Sequence, residues 1–293
     1  MSTFYDFRAE IATQMDLYYS GVITGEDAGF TYIEDSNLLR FANSNVLVGG
    51  HLFTAKDAGL GGWRDVQWRP IVSFSPYVSE PEAQPRIGVE YPLTLDDDET
   101  TLVGDMYEVF RALTPDQWDK AILDAVKSAW PMIFEIRRIA PTSTLGGGYA
   151  FPTDEFDEIR EVRVRDPINW PDYGEQPILP SLWRVEKSQT DKSPTLHFMH
   201  PLSDDIQLSD ILCYVSGRYV IDDITATDSY PRMDHAYLTY QSKANAYGIL
   251  ADETQRQAVH GNYMTQAQYS QELADRRKVE VYNHLTGAEV KAE

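Results

Sequence analysis

The chain has 293 residues, with 46 acidic against 25 basic side chains for a formal net charge of −21, and one cysteine, Cys213. An acidic excess of this size disfavours grip on a nucleic-acid backbone, which needs Lys and Arg to displace condensed counterions. One cysteine excludes an internal disulfide framework and a thiolate-built zinc site, and with no basic leader and no run of about 18 apolar residues neither a secretion signal nor a membrane span is expected.

Hydrophobic content of 42% is that of a folded chain, long enough for two modest domains or one large one. Residues 2–19 predict an opening amphipathic helix, with Phe4, Phe7, Ile11, Met15 and Tyr18 on one side and Gly21 as its terminator. Short alternating runs follow at 45–55, 71–77, 87–93 and 101–110, punctuated by Gly, Pro, Asp and Asn; they predict a small antiparallel barrel or sandwich, with Gly49-Gly50 and Gly59-Leu60-Gly61-Gly62 at turns or bulges.

The most strongly marked element is the helix expected over Thr114 to Arg138, TPDQWDKAILDAVKSAWPMIFEIRR. Thr114 is placed as N-cap, Pro115 suits the first helical position, Asp116 favours the positive end of the dipole, and Gln117 completes a capping box. Trp118, Ala121, Ile122, Ala125, Val126 and Ala129 then form one apolar stripe, and Pro131 should end or bend the helix after Trp130. Residues 140–149 (APTSTLGGGY) read as a linker. A second antiparallel β module is expected beyond it, from runs at 161–165, 183–187, 195–200 and 211–221. A C-terminal helical pair closes the chain: 234–251, with Tyr237, Tyr240, Ala244 and Tyr247 at heptad spacing, and 265–285, opening on a TQAQ capping box before Tyr269, Leu273, Val279 and Tyr282. The fold class is therefore α+β, divided at 1–139, 140–230 and 231–293.

No residue pattern names a reaction. Gly59-Leu60-Gly61-Gly62 is not followed by a helix, as a dinucleotide site requires, and Gly146-Gly147-Gly148 lacks the Lys and Ser/Thr of a phosphate loop. His197 and His200 lie three apart on an expected strand, which puts their rings on opposite faces. Acidic pairs at 96–99, 154–155, 157–158, 204–205 and 222–223 are what 46 carboxylates give by chance, and none sits in a calcium-hand loop. Cys213 in DILCYVS reads as core. The tryptophans Trp63, Trp68, Trp118, Trp130, Trp170 and Trp183 are scattered as core residues are. No catalytic, cofactor or metal site is therefore expected. Trp118, Ile122, Tyr237, Tyr240 and Tyr247 are the candidates for contact between subunits.

The order of elements resembles the head-to-tail adaptor or neck proteins of tailed bacteriophages. The resemblance is carried by the opening helix, by LLRFANSNVLVGGHLFTAKDAG closing on GDMYEVF, by LTPDQWDKAILDAVKSAWP, and by YLTYQSKANAYGIL near the C-terminus. It implies a structural virion protein: a homo-oligomeric, dodecameric ring that contacts the portal protein on one side and a tail terminator, nozzle or tail-tube protein on the other. DNA would pass through such a channel without specific binding, with no membrane contact and no cofactor. An acidic wall suits a duplex bearing about one charge per 1.7 Å. Two alternatives belong to other classes, a carbohydrate- or receptor-binding tail or baseplate module, suggested by the tyrosines and acidic loops, and a glycan hydrolase using an acidic pair.

Overall fold

A computed structural model describes residues 4–41, 47–56, 64–75, 84–94, 101–145, 147–151, 158–165, 175–187, 194–202, 206–217, 219, 233–255, 257 and 259–286. The chain is α+β and forms two compact units, one from 1–128 with 221–293, the other from 129–220. The expected boundaries near 139 and 230 are thus corrected. The strand at Glu135–Ile139 bonds into the second unit's sheet, and the C-terminal helices bond to the helix at Pro115–Ala129 in the first.

The first unit opens on α1 (Phe4–Gln14), followed by β1 (Tyr18–Val22), β2 (Gly25–Glu26), β3 (Tyr32–Glu34), β4 (His51–Lys56), β5 (Arg64–Ser75), β6 (Arg86–Val89), β7 (Met106–Phe110) and α2 (Pro115–Ala129). Its sheet runs β1-β7-β4-β5-β6-β3-β2 with every pairing antiparallel. The two outermost strands of that order, β1 and β2, are consecutive pieces of one segment. The Ile23 N–H donates to Asp105 O at 2.9 Å on the β7 side, and the Thr24 N–H donates to Glu34 O at 2.8 Å on the β3 side. The segment 18–26 therefore joins the two ends of the sheet order, which curls the sheet into a small barrel. Tyr19, Ile33, Leu52, Ile71, Ile87, Tyr107 and Val109 fill its interior.

α1 is shorter than the spacing predicts. Asp16 at φ 57° turns the chain, so Tyr18 and Gly21 lie in β1 and Gly21 terminates no helix. A Cβ at Gly21 would stand 2.3 Å from Asp35 Oδ2, which is the reason for glycine at this position. Gly49, at φ 86°, marks the turn before β4 as expected, whereas Gly59-Leu60-Gly61-Gly62 lies outside the described residues.

α2 begins as its sequence dictates. The Thr114 N–H donates to Gln117 Oε1 at 2.7 Å and the Gln117 N–H donates to Thr114 Oγ1 at 3.3 Å, a complete capping box. The helix stops at Ala129, short of the expected Arg138: the Trp130–Pro131 peptide that follows is cis, and Glu135–Ile139 pairs as a strand instead.

In the second unit β8 (Glu135–Ile139), β9 (Ser143–Leu145), β10 (Gly148–Ala150), β11 (Glu158–Arg165), β12 (Glu175–Ile178), β13 (Trp183–Lys187), β14 (Pro194–Phe198) and β15 (Ile211–Gly217) form two antiparallel sheets, β13-β14-β10-β9 and β12-β11-β15-β8. Leu196 and Phe151 from one side meet Val162, Ile211, Cys213 and Val215 from the other, the core of a small sandwich. The expected linker is a hairpin instead: Gly148 pairs with Leu145, and Gly147 at φ 80° supplies the turn. Its Ser, Thr and Gly content serves strand ends and a tight reversal.

The C-terminal pair is present as α3 (His235–Glu253) and α4 (His260–Thr286), and it packs in the first unit. Asp234 caps α3, accepting from the Tyr237 N–H at 2.8 Å. α4 starts before the TQAQ box, so Thr265 is interior to it and its hydroxyl donates to Gly261 O at 2.8 Å. Among the described residues, no helix is long and apolar enough to cross a membrane.

Candidate functional site

Three of the five residues expected at a subunit contact are buried within this chain. Trp118 and Ile122, on the apolar stripe of α2, have no exposed surface; the Trp118 ring meets Phe110 of β7 edge to face, with centroids 6.2 Å apart. Tyr237 is equally buried, its hydroxyl 3.0 Å from Ser128 Oγ and donating to Ala125 O at 3.2 Å. An intersubunit role for Trp118, Ile122 and Tyr237 is therefore corrected: α2 is covered by the barrel on one flank and by α3 on another. Tyr240 and Tyr247 are half-buried on α3.

Tyr247 stacks on Tyr263 of α4, with ring centroids 6.3 Å apart and planes 29° apart. The two rings border a hollow of about 440 Å³ that also involves Gln14, Asp16, Arg111, Asn262 and Gln266. The Arg111 guanidinium donates to Asp16 O at 3.2 Å at its rim. Carboxamides and one guanidinium around stacked phenols make this hollow more polar than a cofactor pocket.

α4 lies against α3 along one side, where Lys278 also donates to Ser128 O of α2. There Gln241 and Gln271 exchange amide hydrogen bonds of 2.8 and 3.0 Å, and Arg277 grips Asp234 through Nε at 2.9 Å and Nη2 at 2.7 Å. This guanidinium holds the Asp234 carboxyl below its ordinary range. The opposite side of α4 carries Met264, Tyr269, Val279 and Tyr282 exposed, Tyr269 at 59%. Tyr269, Val279 and Tyr282 of this set belong to the run expected from sequence, and Met264 joins them because α4 begins before its TQAQ box.

A buried polar group lies between the barrel wall and the helices of the first unit. Glu108 of β7 is 5% exposed and accepts from the Tyr18 hydroxyl at 2.5 Å, while its Oε2 is buried with no hydrogen-bond partner among the described residues. Burial pushes its carboxyl up to about 7, against the pull of Tyr18 and of the Arg8 charge. Arg8 of α1, 2% exposed, is ion-paired with Asp119 of α2, and its guanidinium lies 5.5 Å from the centroid of the Trp68 ring. The same elements that bury apolar faces therefore enclose a guanidinium and its carboxylates.

The other sequence candidates are dispersed. His197 sits 3.6 Å from Glu186 on the neighbouring strand, and His200 lies beyond the end of β14. Burial drives the Cys213 thiol up to about 12, which suppresses thiolate chemistry. Of the acidic pairs, only Glu158 falls among the described residues, and Trp63 and Trp170 lie outside them. Among the described residues no group of three His, Cys, Asp or Glu side chains is gathered to hold a metal ion.

Comparison with protein-family models, with curated proteins and with solved structures returned no match. The functional reading therefore rests on the chain's own chemistry.

Proposed function

We propose that this chain is a structural, non-enzymatic virion protein of the head-to-tail neck of a tailed bacteriophage, where copies of it form a ring between the portal protein and a tail terminator, nozzle or tail-tube protein. The observation that carries the proposal is α4, a 27-residue helix that lies against α3 on one side and presents Met264, Tyr269, Val279 and Tyr282 on the other. Exposed apolar residues along one face of a helix favour a protein partner, and a second copy of the chain is the partner always present at assembly. The net charge of −21 supports a lumen through which DNA slides, since like charge keeps the duplex from adhering. The closed barrel, the sandwich and the helical layer supply rigid units for such a collar.

Negative-stain imaging of the purified protein, alone and mixed with portal rings and with tail tubes of the same phage, tests this proposal. Annular particles that add to one end of the portal or tail are the expected result. A protein that stays monomeric and attaches to neither would contradict it.

A further inference from the structure

Glu108 stands on the outer face of the barrel wall, beneath α1 and beside α2. Its cross-strand neighbours are Ser20 of β1 and Phe53 of β4, and Phe53 in turn pairs with Trp68 of β5, so that side of the carboxyl is largely apolar. The charged and titratable groups facing it are Tyr18 from β1, Asp6 and Arg8 from α1, and, through Arg8, Asp119 and Asp116 from α2. The Arg8 guanidinium acts on both Glu108 and Asp119, and it is ion-paired with Asp119. With Phe4, Phe7 and Ile11 of α1 buried, a closed α1 leaves Glu108 Oε2 dry and without a donor. An ionised carboxylate in that position is penalised more heavily than a neutral one.

We propose that Glu108 is a proton-operated latch on the N-terminal helix: its neutral carboxyl lets α1 lie closed over the barrel, and its ionisation favours the opening of α1, which brings water to the carboxylate. The burial that lifts this carboxyl towards neutral pH places the transition in the physiological range. In an opened α1 the carboxyl returns to its ordinary value of 4.5, so closing is linked to uptake of one proton.

Hydrogen exchange of the α1 amides, corrected for intrinsic rates and measured from pH 5 to 8 on the whole protein, reads the opening equilibrium directly. For one linked proton the opening constant should rise about tenfold per pH unit above the ordinary carboxyl value and level off above about pH 7. In Glu108→Gln the rise should vanish while α2 amides remain as protected as in the parent. Three outcomes would overturn the latch: α1 exchange that does not change with pH, a Glu108→Gln variant that keeps the parent's rise, or an equal rise in α2 amides. Should the variant fail to fold, a carbon-13 titration of the parent's Glu108 carboxyl decides: a midpoint near 7 supports the latch, and one near 4.5 overturns it.

Discussion

Two carboxyls buried in the same barrel show how partners decide what burial does. Asp35, inside the barrel, accepts from the Tyr107 hydroxyl at 2.8 Å, the Tyr19 hydroxyl at 3.1 Å and the Asn37 N–H at 2.8 Å. Both phenols are held above their ordinary range, by burial first. Asp35→Ala should cost about 1–3 kcal/mol for each phenol left without an acceptor, read from chemical denaturation. Gly21→Ala, which drives a methyl against the same carboxylate, should cost roughly 1–3 kcal/mol in the same assay.

Glu108, on the outer face, has a single donor among the described residues, the Tyr18 hydroxyl. A carboxyl raised from 4.5 to about 7 makes the folded state bind more protons than the unfolded one. Stability contributed at low pH is therefore lost as pH rises from about 4.5 to about 7, with little further change above. Glu108→Gln should match the parent near pH 4 and exceed it at pH 8 by on the order of 1–3 kcal/mol, checked by thermal melts across that range. None of this was legible in sequence. Glu108 looks like an ordinary strand carboxylate in GDMYEVF, and only the closure of α1 over β7 makes it otherwise.

At the scale of elements, legibility followed locality. The start and stripe of α2 were readable because cap, first-turn proline and apolar spacing all lie within one stretch of chain, whereas its end at Ala129 was not, since Glu135–Ile139 is drawn into a sheet. α1 and the β9–β10 hairpin were misread because tertiary partners overrode their local signals. Tyr18 continues the helical apolar spacing, yet it pairs with Phe110, and Ser-Thr-Leu-Gly-Gly-Gly resembles a linker until β14 pairs with it. α3 hides its role differently. It is enclosed on several sides while carrying Gln241, Ser242 and Asn245, and Asn245 donates to Ala121 O of α2 at 2.8 Å.

Asp234 ties the C-terminal pair together as N-cap of α3 and bidentate partner of Arg277. Asp234→Ala should therefore cost about 1–2 kcal/mol at pH 7, most of it the lost cap. The folded-state carboxyl lies below 3.8, so its contribution is present above that value and is lost as pH falls through the lowered one. Denaturation series at pH 7 and pH 3 should show the deficit shrinking in acid.

For the whole molecule, the acidic charge and the Tyr269, Val279 and Tyr282 run were both visible in sequence, but the run was not assigned to a partner. The sequence pointed to Trp118, Ile122 and Tyr237, which the first unit uses for its own core. What stays outward is the far face of α4, spaced so that Val279 and Tyr282 share one turn. If copies of the chain meet there, a charge placed at both positions should separate them without unfolding the helix, since neither residue is buried in the single chain.

Mass photometry of the purified protein beside its Val279→Glu/Tyr282→Glu variant is the most direct test of assembly. The account predicts one discrete multimeric mass for the parent, and for the variant a monomer of 33.3 kDa, before the small change the substitutions make, with an unaltered circular-dichroism spectrum. A parent protein that is itself monomeric at micromolar concentration would contradict it.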